Sequence, residues 1–105
     1  MNRRLITLTV ALAFVISLPA FASDGAAIYK TKCAGCHGPD GAGQTGPGKS
    51  MKLRDLRSGE VQKQTDLELT KIISGGKGKM PAFGKQLSTA DVEALISFIR
   101  TIKAK

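Results

Sequence analysis

Both cysteines and the single histidine of this 105-residue chain fall within Cys33-Ala34-Gly35-Cys36-His37. Whatever these groups do, they do at one place, and three chemistries use such a cluster. A structural zinc site wants four Cys or His ligands, and the chain has too few to complete one. A thioredoxin-like redox pair sits beside a βαβ pattern, and no alternating strand pattern flanks this one. Covalent attachment of c-type haem has C-x-x-C-H as its signature. On a helical turn, positions three and four apart share a face. Cys33 and Cys36 can therefore reach two vinyl groups on one porphyrin edge, and His37 can turn its imidazole onto the iron.

The start of the chain supplies the compartment such chemistry needs. Met1-Asn2-Arg3-Arg4 is basic, residues 5–18 are an apolar run, and Ala20-Phe21-Ala22 offers the small-x-small pattern that a signal peptidase reads. The run is shorter than the ~20 residues a transmembrane helix needs, so no stable membrane insertion is expected. Residues 1–22 are expected to be a cleavable secretory signal, cut after Ala22, and residues 23–105 a single domain in the periplasm. The twin Arg3-Arg4 is compatible with folded export. Haem is attached outside the cytoplasm to an unfolded chain, however, and general secretion fits that better.

A domain of roughly 80 residues buries too little apolar surface to be comfortable without a staple. The aromatic residues left after the leader are Tyr29, Phe83 and Phe98, and the chain has no Trp. A large apolar group from outside the sequence would complete such a core, and haem is one. The formal net charge is +8, with 16 Lys and Arg against 8 Asp and Glu. Such a balance suits nucleic acid, anionic lipid or an acidic protein. The lysines are scattered rather than packed into one run, which favours the protein partner over nucleic acid or lipid.

A haem iron that passes electrons without reacting with oxygen needs a second axial ligand opposite His37. Two methionines lie beyond the leader. Met51 sits in Lys49-Ser50-Met51-Lys52, and Met80 in Gly78-Lys79-Met80-Pro81-Ala82-Phe83. Gly78 lets the chain bend and Pro81 keeps the segment out of helix, so an extended loop can lay the Met80 thioether on the haem. Met80 is the better candidate, with Met51 in reserve, and Met/His ligation is a known haem arrangement. As bare packing, either Met is core filler.

With these residues in place, the chain beyond the leader resembles a small class I cytochrome c of the bacterial monohaem type, like the c6, c551 and c552 cytochromes. The likeness rests on Gly25, Tyr29, the C-x-x-C-H motif, Thr45-Gly46-Pro47, Met80-Pro81 and a last helix bearing Leu95 and Phe98. It implies an all-α fold of three to five helices wrapped round one covalent haem c per chain. Cys33 and Cys36 would carry the haem by two thioether bonds, with His37 and Met80 as axial ligands. It also implies that the Pro47 carbonyl accepts the second imidazole N–H of His37, fixing the ring and raising its basicity.

Local patterns place the elements. Ser23 or Asp24 can cap a first helix running to about Cys33, with Ile28 and Tyr29 inward. The glycine-rich stretch 38–48 reads as a loop, and Leu53 with Leu56 suggests a short helical turn. Thr65 and Glu68 form a capping box for a helix through Ser74 that buries Leu69, Ile72 and Ile73 and stops at Gly75-Gly76. Ser88 opens the last helix, with Val92, Leu95, Ile96, Ile99 and Ile102 at helical spacing. Gln62, Gln64 and Arg54 are the candidate partners of the haem propionates.

Two strings in the glycine stretch mimic nucleotide motifs. Gly41-Ala42-Gly43-Gln44-Thr45-Gly46 satisfies G-x-G-x-x-G. Gly43-Gln44-Thr45-Gly46-Pro47-Gly48-Lys49-Ser50 satisfies the phosphate-loop pattern G-x-x-x-x-G-K-[ST]. Both patterns need a buried strand before and a helix after, and the haem motif with Gly38-Pro39-Asp40 is not a strand. No nucleotide is expected.

The expected function is a soluble periplasmic one-electron carrier cycling Fe(III)/Fe(II), not an enzyme, and monomeric. No acid–base or nucleophile constellation stands outside the motif. Lys49, Lys77, Lys79 and Lys85 flank segments that should line the haem rim, where they could steer acidic redox partners into weak, transient docking. As plain surface, each simply keeps the protein soluble. Two other classes stay open: a haem gas-ligand sensor or carrier from which Met80 departs, and a disulfide oxidoreductase using Cys33 and Cys36.

Overall fold

The computed structural model describes residues 9–16 and 23–103. Residues 9–16, within the apolar run 5–18, carry no helix or strand and are exposed. The basic opening and Ala20-Phe21-Ala22, where cleavage is expected, lie outside the described residues.

Six helical segments follow: α1 (Gly25–Lys32), α2 (Ala34–His37), α3 (Gly46–Ser50), α4 (Gly59–Gln62), α5 (Asp66–Gly75) and α6 (Thr89–Thr101). Among the described residues there is no strand, only one isolated antiparallel bridge between Lys77 and Met80. The fold is all-α. Three helices have eight or more residues, and the other three are single turns of four or five.

Caps set the helix starts. Asp24 accepts the Ala27 N–H at 3.2 Å, so it opens α1, while the Ser23 hydroxyl donates instead to Asp91 at 2.8 Å. Thr65 with Glu68, and Ser88 with Asp91, exchange reciprocal bonds at the starts of α5 and α6. Each cap satisfies N–H groups that the helix itself cannot, a contribution of about 1 kcal/mol.

The glycine stretch departs from the loop expected there. Thr45 accepts the Gly48 N–H at 2.9 Å and Pro47 occupies the first turn, so α3 forms inside it. Its end is a Schellman motif: Leu53 N–H bonds to Gly48 O at 2.9 Å and Lys52 N–H to Lys49 O at 3.3 Å. Lys52 takes the left-handed position with φ 54°, where glycine is usual. A side chain there costs roughly 1–2 kcal/mol. The helical turn expected at Leu53 and Leu56 instead forms as α4, because Ser58 offers the cap, accepting the Val61 N–H.

The core joins Tyr29 of α1, Val61, Leu69 and Ile73, and the α6 face Val92, Leu95, Ile96 and Ile99. α1 meets α6 backbone to backbone at Gly25, where a Cβ would land on the Ala94 carbonyl. That approach brings the Tyr29 and Phe98 rings to 5.0 Å, tilted by 47°. Arg100 then ties α6 to the α4–α5 connection, donating to Gln62 O at 2.8 Å, Gln64 O at 2.6 Å and Asp66 Oδ1 at 2.8 Å.

Candidate functional site

Cys33 closes α1 through its N–H to Tyr29 O at 2.9 Å, and it begins the turn that becomes α2. The chain leaves α2 at Gly38, φ 83°, so sharply that Gly43 N–H reaches back to His37 O at 2.7 Å. Thr45 clamps the same end, its hydroxyl donating to Cys36 O at 2.6 Å. Gly48 lies flat on this turn; a Cβ there would strike Cys36 O at 2.7 Å. The motif is thus held rigidly from both sides.

Beside it opens a cavity of about 530 Å³. Cys33, His37, Met51 and Met80 all line it, with Leu56, Val61, Leu69, Ile72, Ile73, Leu95 and Ile99 as apolar walls. Ile72, expected to be buried in the core, is half-buried and faces this space. Cys36 is exposed and does not line the cavity, but it lies within the same helical turn as His37.

The donor set suits a haem attached at the cavity's edge. The cysteines are unpaired. Burial lowers the His37 pKa, so its imidazole is neutral and offers a lone pair. Its Nδ1 is buried without a hydrogen-bond partner. The bond expected from that nitrogen to the Pro47 carbonyl is not formed. α3 turns Pro47 O onto the Met51 N–H at 2.9 Å, and Pro47 itself is exposed.

The two sulfurs reach the cavity from different walls. Met51 caps α3, which is fastened to the motif by Thr45 and Gly48. Met80 comes from the loop after α5. Gly76 ends α5 with φ 77°, and a Cβ on it would stand 2.8 Å from Met80 O. The loop then closes by Lys77 N–H to Met80 O at 3.2 Å and Met80 N–H to Lys77 O at 2.9 Å. Phe83 N–H to Ile73 O and Gly84 N–H to Ser74 O, at 2.9 and 3.0 Å, pin it to α5.

Polar groups border the cavity as well. Lys52, Arg54, Gln64, Lys77 and Lys79 line it, and no Asp or Glu does among the described residues. Gln62 does not line it; its amide is spent on Leu56 O and Ile99 O at 2.8 and 3.1 Å. Of the expected rim lysines, Lys49 and Lys85 are exposed but stand outside the lining. Sequence reading missed Arg100 and the clamp by Thr45. Both act through backbone carbonyls, which leave no residue pattern to read.

The competing chemistries fare worse. Burial pushes the Cys33 thiol up to about 11, whereas a reactive redox cysteine has its pKa lowered. Among the described residues no group of three or more His, Cys, Asp or Glu is placed to hold a metal ion. The phosphate-loop string follows turn backbone instead of a strand, and α3 is only five residues long. Among the described residues, no helix is long and apolar enough to cross a membrane.

Similarity to known proteins agrees with the geometry. The family model described as cytochrome c oxidase, cbb3-type, subunit III matches residues 20–99. The chain is 34% identical over 103 residues to a cytochrome c6 of Picosynechococcus, covering 90% of this chain and 87% of that protein. It is also 34% identical over 76 residues to cytochrome c6 of Microcystis aeruginosa, covering 72% of this chain and 90% of that one. The solved c-type cytochrome KustC0563 superposes with a TM-score of 0.72 at 31% identity, over 77% of this chain and 99% of its own. With the C-x-x-C-H turn opening on an apolar cavity, these likenesses place the chain among the small monohaem class I c-type cytochromes, electron-transport proteins that carry covalently bound haem c.

Proposed function

We propose that this protein is a one-electron carrier of the periplasm, exported with residues 1–22 removed, in which His37 and Met80 are the axial ligands of the haem iron. The observation that carries the reading is that His37 and Met80 line one cavity from different elements, α2 and the loop after α5. A ligand opposite His37 has to come from a wall other than the one that holds His37. Met51 belongs to a segment fastened to that same motif, which favours Met80.

Bound haem c supplies the Fe(III)/Fe(II) couple. The chain does the rest. Cys33 and Cys36 would hold the porphyrin edge as thioethers. His37, whose pKa burial lowers, would offer its other nitrogen to the iron, with the buried Nδ1 on the protein side. The hydrogen bonds across the Lys77–Met80 turn keep the sulfur within reach and limit its movement. Leu69, Ile72, Ile73, Leu95 and Ile99 exclude water, so little reorganises when the charge changes. A thioether ligand favours the reduced state and predicts a positive potential. Lys77 and Lys79, at the cavity beside Met80, would meet an acidic redox partner in small, short-lived contacts. These are the contacts of a carrier rather than an enzyme.

Optical spectra of oxidised and reduced protein test the ligand set. Wild type should show narrow low-spin reduced bands and a far-red sulfur-to-ferric-iron band. Met80→Ala should lose the far-red band and Met51→Ala should keep it. The reverse pattern moves the ligand to Met51. Ready uptake of carbon monoxide by the reduced wild type at neutral pH identifies a gas-binding protein instead.

A further inference from the structure

Lys52 is the one non-glycine residue with positive φ among the described residues; Gly38, Gly41, Gly43, Gly76 and Gly78 take the other such positions. The Schellman end of α3 needs left-handed backbone at this point but no side chain. Glycine would serve the backbone better. A strained residue that persists where an easier one exists is a pointer to what its side chain does.

Lys52 is among the residues that line the haem cavity, and it is exposed there. Haem carries its vinyl groups on two adjacent pyrroles and its two carboxylates on the other two. Anchoring the vinyl edge at Cys33 and Cys36 therefore leaves the carboxylates at the edge away from the motif. The cations lining the cavity outside the motif are Lys52, Arg54, Lys77 and Lys79. Arg54 already pairs with Glu60 at 3.3 Å. Lys77 and Lys79 precede Met80 on the loop that brings the sulfur. Lys52 makes no ion pair among the described residues, and no Asp or Glu lines the cavity to attract it.

We propose that Lys52 keeps its strained backbone because its ammonium is the cation that partners a haem propionate at the mouth of the cavity. The inference rests on the covalent haem and not on which sulfur binds the iron. In the holoprotein, Lys52 acts as a positioning and charge-balancing residue. Its positive charge offsets a carboxylate that would otherwise favour the ferric state.

The test compares holoprotein variants Lys52→Gly, Lys52→Gln and Lys52→Arg, with the exposed Lys85→Gln as a surface-charge control. In reduced, diamagnetic protein, proton NMR should show cross-relaxation between the Lys52 ε-methylene and a propionate methylene. Lys52→Gly and Lys52→Gln should shift the ferric–ferrous equilibrium at fixed potential toward ferric by about two- to fivefold, the range of a partly exposed ion pair. The shift should shrink at high salt, and Lys52→Arg should keep the wild-type value. Lys52→Gly should melt higher than Lys52→Gln, since both lack the charge and only glycine relieves the strain. Absent cross-relaxation with wild-type equilibria overturns the proposal, leaving Lys52 a helix terminator. A shift no larger than that of Lys85→Gln, without cross-relaxation, overturns it too. All of these variants keep the far-red band, so failure here is distinct from failure of Met80 ligation.

Discussion

The Tyr29 hydroxyl donates a 2.6 Å hydrogen bond to the Gly38 carbonyl, tying the middle of α1 to the residue at which the haem-motif turn ends. Tyr29 is 2% exposed, and its ring packs on Phe98 of α6. One side chain thus links the α1–α6 crossing to the orientation of His37.

Burial, with the nearby Asp40, pushes the Tyr29 phenol up to about 12 from its usual 10. Between those values the unfolded chain gives up the proton and the folded chain keeps it. Stability is therefore full below about pH 10 and falls as pH rises toward 12. Tyr29→Phe should lose about 1 kcal/mol at neutral pH, for the missing hydrogen bond, and should flatten the alkaline decline. Urea unfolding at a series of pH values reads both effects.

Gly25 is the contact on which the α1–α6 crossing depends. Any Cβ there meets the Ala94 carbonyl, which is backbone and cannot step aside. Gly25→Val should force the helices apart at a cost of about 1–3 kcal/mol, typical of overpacking. A thermal melt should show a drop of roughly 4–8 °C per kcal/mol in a domain of this size.

Arg100 and Asp66 share a 2.8 Å ion pair, but the pair is not where the stability lies, since Asp66 is 76% exposed. The same guanidinium holds the Gln62 and Gln64 carbonyls. Arg100→Met should cost about 2–3 kcal/mol, because it leaves two part-buried carbonyls without donors. Asp66→Asn should cost under about 0.5 kcal/mol. Equal losses in denaturant unfolding would show the ion pair to be the working contact.

Gly76→Ala tests the Met80 loop without touching the sulfur. The φ of 77° disfavours alanine, and the added Cβ would press on Met80 O and on Ala82 N at 2.8 and 3.0 Å. The far-red band should weaken and carbon monoxide should bind the reduced variant faster than wild type. An unchanged band would show that the loop tolerates displacement of its first residue.

Mass spectrometry of the protein isolated from the periplasmic fraction of its host tests export and attachment together. The expected species begins at Ser23 and carries one haem. Two titratable thiols with no haem adduct would return the motif to disulfide chemistry.

Much of this protein is written in local pattern. The C-x-x-C-H turn, the reciprocal caps Thr65–Glu68 and Ser88–Asp91, and the α6 spacing of Val92, Leu95, Ile96 and Ile99 depend on neighbours a few residues away, so periodicity and capping residues expose them. Other features depend on partners distant in the chain. That Pro47 O accepts the Met51 N–H, and that His37 Nδ1 has no hydrogen-bond partner, depends on how α3 packs on the motif. That Ile72 lines the cavity half-buried, while Ile73 lines it and also joins the buried core, depends on where α5 meets α6. Residue identity sets what a segment prefers to be and which chemistry it can carry. Only the packed chain decides which carbonyl is already engaged, which helices may touch, and which side chains are left facing the space where the haem belongs.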